Sequence, residues 1–261
     1  MKIGIFDSGL GGLIILRELK RQLPKYDYVY LGDTENLPYG EKTQKRIFEL
    51  TQKGVEYLFK QDCALVIVAC NTASSQALRK IQQEYLPKSK YSDRKVLGII
   101  RPTVECVPKT GKVGLIGTRR TIDSQAYKKE FIKTGHKISL LMKATPKLAT
   151  MIESGELDEK VLNQYLTPFK KAKVETLVLA CTHYGDLKKT VVEIMSDNVR
   201  VIAQDDILPK KLKQYLKKHP EVSKKLAHGG KTKLLLTKTN ARYQARAKEW
   251  FGSTKLTQVQ I

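Results

Sequence analysis

Two cysteines stand where an apolar run gives way to polar residues: Cys70 in LVIVACNTAS and Cys181 in LVLACTH. A single such cysteine says little, because unpaired cysteine is among the residues most often buried and inert. A matched pair says more. A thiol at a helix N-terminus has its thiolate favoured by the helix dipole and by free backbone N–H groups. Two thiols on opposite walls of one cleft suit a symmetric reaction, the inversion of a stereocentre, in which a proton leaves one face of a carbon and another arrives on the other. A thiol near pKa 8.5 can serve as base or acid once tuned. Asp7 and His183 are the polar neighbours able to exchange protons with these thiols, and Asn71, Thr72 and Thr182 supply N–H and hydroxyl donors for a carboxylate. Asp7 and Thr72 also read as helix caps, a role compatible with the first.

The elements that must position these groups occur twice. KIGIF (Lys2–Phe6) reads as a strand, DSGLGG as a glycine loop, and Leu13, Leu16, Leu19 and Leu23 as the apolar face of a helix. YVYLGD (Tyr28–Asp33) is a second strand, followed by a loop and a helix from about Thr43 to Phe59. ALVIVAC (Ala64–Cys70) is a third, with Asn71 or Thr72 capping a helix that runs to about Tyr85. KVGLIGT at Lys112 repeats KIGIFDS at Lys2 with an offset of 110, and Cys181 lies 111 after Cys70. Strands alternating with helices imply parallel sheets covered on both faces, and the common offset implies an internal duplication. The expected fold is therefore α/β: two similar lobes with parallel-rich sheets, related by a pseudo-twofold duplication. Ligands of such sheets bind beyond the carboxyl ends of the strands, where both cysteines lie, so the active site belongs in the cleft between the lobes.

Composition narrows the chemistry. The 261 residues suffice for a large core, 41% are hydrophobic, and no apolar run approaches a membrane span. MKIGIFDSG has too short an apolar stretch for a signal peptide, so a cytoplasmic protein is expected. Cys63, Cys70, Cys106 and Cys181 form no CxxC pair, which points to reduced thiols and to neither a metal nor a disulfide framework. GLGG lacks the third glycine of GxGxxG, no GxxxxGK[ST] occurs, and Ser8 is not in a GxSxG elbow; nucleotide binding and serine hydrolysis find no support. Thiol protease chemistry could use Cys181 with His183, yet it leaves the second cysteine unexplained. The net charge is +22, and residues 207–261 hold 14 basic and two acidic residues, a net +12. Such a segment attracts polyanions weakly and without sequence preference; solvated lysine faces are the simpler account.

FDSGLGG, LPYG, ACNTAS, GTRRTI and ACTHY, in that order and across nearly the whole chain, resemble the signature blocks of glutamate racemases in the aspartate/glutamate racemase superfamily. The resemblance implies an isomerase without cofactor or metal that makes D-glutamate for peptidoglycan and assembles as a homodimer. It implies Cys70 and Cys181 as the acid/base pair, assisted by Asp7 and His183. Asp7, Ser8, Tyr39, Gly40, Asn71, Thr72, Thr182 and His183 match positions that hold the substrate glutamate, Thr118 and Thr121 match a threonine loop, and Glu153 matches an acidic position that could assist. The family architecture implies lobe one from residues 1–95 plus 207–261 and lobe two from 96–206.

The chain departs from the family pattern at Arg101-Pro102 (usually Glu-Pro), Thr145-Pro146-Lys147-Leu148 (usually Cys-Pro-Leu-Phe), Gly185 (usually proline) and Ala203-Gln204 (usually Asp-Ser). Both cysteines and their partners remain, so the chemistry is untouched while substrate choice, interface and regulation are less constrained. Two other readings stay open on sequence: an aspartate or other amino-acid racemase of the same superfamily, and a polyanion-binding protein on a racemase scaffold.

Overall fold

The β-branched, apolar runs form ten strands in the computed structural model, which describes residues 1–252 and 255–261. Ser253 and Thr254, inside the segment expected to complete lobe one, lie outside the described residues. The strands are β1 (Lys2–Asp7), β2 (Tyr28–Gly32), β3 (Cys63–Val68), β4 (Lys95–Gly98), β5 (Thr110–Gly117), β6 (Lys137–Ala144), β7 (Thr176–Ala180), β8 (Arg200–Ile202), β9 (Thr232–Leu236) and β10 (Leu256–Gln258). They build a six-stranded sheet in the order β10-β9-β2-β1-β3-β4 and a four-stranded sheet in the order β6-β5-β7-β8. Every neighbouring pair is parallel. The cores β2-β1-β3-β4 and β6-β5-β7-β8 share one strand order, as a repeated unit requires. The larger sheet takes in Val96, Leu97 and Gly98, just past the expected end of the first lobe at residue 95.

Side chains on β1 alternate between two cores, as the two-residue period of a strand demands. Ile3 and Ile5 join an apolar cluster that continues through Leu115 and Leu179 of the smaller sheet, whereas Phe6 joins a second cluster with Leu58 and Val66. The helix Gly12–Gln22 leaves the β1 loop and packs on the helix Gln204–Lys218, so the chain's return from the smaller sheet is braced against its first helix.

The helix after Cys70 differs from expectation. Cys70 itself is the N-cap, its Sγ accepting from the Ala73 N–H at 3.4 Å. The helix Asn71–Gln76 breaks at Ala77 (φ −122°) and resumes as Leu78–Lys80 and a wide turn Ile81–Tyr85. Ser74 and Ser75 donate their hydroxyls to the carbonyls of Val68 and Thr72, the kind of local bond that competes with helical geometry.

Gly54, buried in the helix Gln44–Lys60, faces the ring of Phe6 with no room for a methyl group. Gly54→Ala gains helix propensity but must displace that ring. A net loss of about 1–3 kcal/mol, the usual cost of overpacking, is expected in urea unfolding; an unchanged or raised midpoint would show that the ring yields freely.

Candidate active site

Asp7 ends β1 and is fully buried. Its Oδ2 accepts from the Gly12 N–H at 2.7 Å, which caps the following helix, and from the Thr182 hydroxyl at 3.2 Å, which belongs to the other sheet's loop. Oδ1 has no partner among the described residues. Burial raises the carboxyl above its ordinary range, and the nearby His183 and these hydrogen bonds only partly offset that. The glycine loop permits this approach: a Cβ on Gly11 would lie 2.6 Å from Thr182 Oγ1 and 2.7 Å from the His183 nitrogen. The glycines here let two polar loops meet, rather than cradling a phosphate.

Cys70 follows β3, and its Sγ lies 3.2 Å from Ser8 Oγ. Burial, then the charge of Asp7, pushes its thiol up to about 12. The expected lowering by the helix N-terminus is outweighed, because the helix has only six residues and the thiol is largely buried. Cys181 follows β7 and opens a 3₁₀ segment, Thr182–Leu187, instead of an α-helix. Its Sγ lies 3.7 Å from His183 Nδ1, and His183 Nε2 lies 2.8 Å from Glu153 Oε2. Burial alone would lower the imidazole's pKa, but hydrogen bonds to Cys181 and Glu153 and their charges hold it well above its ordinary value. The Trp250 ring sits edge-on to His183, 5.9 Å between centroids.

One cavity of about 400 Å³ gathers these groups. Cys70, Asn71, Thr72 and Ser8 line it from the larger sheet's loops, with Tyr39 and Gly40; Cys181, Thr182, His183, Thr118 and Glu153 line it from the smaller sheet's side. Asp7 lies behind the wall, and Thr121 supports Thr118 at 3.0 Å without lining the cavity. Thr72 and Thr118 hydroxyls meet at 2.8 Å, a bond between the two halves. The Tyr39 hydroxyl donates to Asp33 at 2.6 Å, so that end of its side chain is already engaged. The Asn71 carboxamide is held by Gln204 and Tyr127.

Sequence reasoning missed several contributors. Arg242 and Tyr243 reach the cavity from the helix Ala241–Phe251, inside the basic segment. Leu37 and Pro38 add apolar wall. Leu37 and Pro38 belong to the LPYG block noted in the sequence, whereas nothing local marks Arg242 and Tyr243, which only the return of the C-terminal helix brings there. Gln204 stood out as a departure, yet its partners are distant in sequence.

Comparison with known proteins fits this geometry. Residues 13–208 match the family model Asp/Glu/Hydantoin racemase. The chain is 38% identical to a glutamate racemase of Persephonella marina over 201 residues, 74% of each protein. It is 37% identical to one of Aquifex aeolicus over 225 residues, 83% of this chain and 84% of that one. The crystal structure of a glutamate racemase isoform from Bacillus anthracis superposes with TM-score 0.89 at 30% identity, over 100% of this chain and 97% of the other. That from Francisella tularensis, in complex with D-glutamate, gives 0.88 at 28% identity, over 99% and 97%.

The chain belongs to the Asp/Glu/Hydantoin racemase family. Within it the chain is an isomerase of the glutamate racemase type. Its departures from the common racemase pattern are accommodated locally. Thr145 shares a 2.6 Å hydrogen bond with the hydroxyl of Tyr184, the residue after His183. Any Cβ at Gly185 would lie 2.9 Å from Asp205 Oδ1, so the absence of proline there suits the Asp205 beside it. Arg101 pairs with Glu105 at 2.9 Å and with Glu130 at 2.7 Å.

Burial and the charge of Asp7 push the Cys70 thiol up, so its alkylation should set in only at high pH. Asp7→Asn removes a like charge, so the thiolate should form at lower pH. Carbamidomethylation of Cys70, followed against pH by peptide mass mapping, should begin earlier in the variant; a curve that does not move, or moves up, would contradict the coupling.

Proposed function

We propose that the chain interconverts L- and D-glutamate by proton transfer at Cα between Cys70 and Cys181, without cofactor or metal, and that the D-glutamate supplies peptidoglycan synthesis. The observation that supports this reading is that both thiols line one cavity while following equivalent strands, β3 and β7, of two like-ordered sheets. A carbon held between them meets one sulfur on each face.

In one direction, Cys181 acts as thiolate, its proton held by the His183–Glu153 pair, and removes the Cα proton. Cys70 delivers its proton to the opposite face and is left as thiolate, with Asp7 the neighbouring carboxylate through which it is restored. The reverse reaction exchanges the two roles. His183, whose hydrogen bonds and the charge of Glu153 hold its pKa well above the ordinary value, lies beside Cys181, and a raised Cys70 pKa keeps that thiol a proton donor. Ser8, Tyr39, Gly40, Asn71, Thr72, Thr118, Thr182 and His183 line the substrate site in this reading, Thr121 and Asp7 support it from behind, and Glu153 assists through His183. The substrate lies in the cleft between lobes of residues 1–95 with 207–261 and of 96–206. A homodimer, and weak polyanion binding by 207–261, belong to the same proposal.

Cys70→Ala and Cys181→Ala should each abolish racemisation in chiral chromatography while the protein stays folded, because inversion needs both groups. In D₂O the newly formed enantiomer should carry deuterium at Cα. Full racemisation by either variant, or product without deuterium, would refute the two-thiol reading; turnover of L-aspartate in preference to L-glutamate would reassign the substrate.

Arg242 is the only Lys or Arg lining the cavity among the described residues, and the substrate carries two carboxylates. Arg242→Gln should raise KM about three- to tenfold, most strongly at low salt where the field is unscreened, and leave kcat within about twofold. An unchanged KM at low ionic strength would remove Arg242 from substrate capture.

A further inference from the structure

Gln204 opens the helix Gln204–Lys218 where the chain returns from the smaller sheet, and it is buried. Its carboxamide forms a reciprocal pair with that of Asn71. Asn71 Nδ2 donates to Gln204 Oε1 at 2.6 Å, and Gln204 Nε2 donates to Asn71 Oδ1 at 2.9 Å. Tyr127 OH donates to the same Asn71 oxygen at 2.7 Å, so both of its lone pairs are occupied. Gln204 Nε2 is also 3.0 Å from Tyr127 OH and 3.2 Å from Thr103 Oγ1. All four residues are buried, and three of them lie between residues 96 and 206 while Asn71 follows Cys70 directly. A polar cluster so enclosed has no water to replace a lost partner, so each group fixes the next.

We propose that Gln204 is a positioning residue for racemisation: by immobilising the Asn71 carboxamide it fixes, through the peptide joining Asn71 to Cys70, the angle at which Cys70 Sγ enters the cavity. The inference rests on Cys70 being one of the two acid/base groups. It changes the reading of Asn71, whose carboxamide oxygen is fully used inside the protein. Of that carboxamide, only the second Nδ2 hydrogen is left for a substrate carboxylate. It also gives a reason for this chain's Gln204 at a position where the racemase pattern usually has serine: only a side chain with both donor and acceptor at that reach can close the reciprocal pair.

The test is Gln204→Leu, with Tyr127→Phe as a milder variant that removes one hydroxyl and keeps the ring. Two readouts separate positioning from simple support: kcat and KM of the folded enzyme, and the ratio of carbamidomethylation at Cys70 to that at Cys181. Gln204→Leu should lower kcat about tenfold or more with KM within about threefold, and should change the labelling ratio at least about threefold as Cys70 loses its fixed orientation. Tyr127→Phe should move both readouts in the same direction by less. The double variant should be less than additive, because both residues act through Asn71. A lowered melting temperature with kcat, KM and labelling ratio unchanged would overturn the proposal, as would full additivity. If Gln204→Leu does not fold, Tyr127→Phe decides by the same two readouts. The labelling ratio is measured without substrate, so failure of the racemase reading, seen as no turnover by the unaltered protein, is distinguishable from failure of this one.

Discussion

Burial of ionisable groups where two polar loops meet is the constraint on which the site depends. Asp7, Thr182, His183 and Glu153 are buried together, so a charge on any of them depends on its neighbours. The close approach of the two loops requires glycine at Gly11, where no side chain fits, and the Trp250 ring packs against His183. Burial also sets proton affinities. A solvated thiol beside a helix N-terminus would ionise readily, whereas Cys70, buried near a carboxylate, holds its proton. Dehydration thus turns two residues of one type into unlike partners: Cys70 neighbours a buried acid, and Cys181 a histidine kept protonated by a glutamate.

The surplus of positive charge has a less uniform role than its size suggests. Much of it sits on exposed lysines, whose ion pairs contribute little. Part of it forms a chain across the junction of the lobes: Arg79 and Arg101 share the carboxylate of Glu130, Arg101 reaches Glu105, and Lys211 closes on Glu105 at 2.9 Å. Glu130 is buried while its partners are exposed, so this chain steadies the back of the junction more than it stores energy. Arg101 replaces the glutamate usual at its position and is absorbed into this network, clear of the cavity.

Much of the site was legible because short-range chemistry announces itself. Ala-Cys-polar-polar at two strand ends, offset by 111 residues, marks both thiols, and the like order of the two sheets follows from the repeated strand pattern. What proved illegible was long-range. The helix after Cys70 was expected to run unbroken, since its residues favour a helix, but serine hydroxyls and the packing around Ala77 divide it. Arg242 and Tyr243 gave no local signal, and Gln204 showed itself as an oddity without a partner.

Residue identity and spacing by themselves determined the parallel α/β architecture and the strand-end placing of the two thiols, because alternation of apolar strands, turn glycines and helical faces is written within windows of a few residues, and the signature blocks carried the resemblance to the family. The tertiary structure decided which groups are dry, which are paired and which protons are held. Desolvation and hydrogen bonding depend on neighbours far away in the chain: Asp7 on Thr182, Asn71 on Gln204, His183 on Glu153 and Trp250. A sequence names the cysteines; only the folded chain brings both to one cavity, and burial beside Asp7 raises the proton affinity of Cys70.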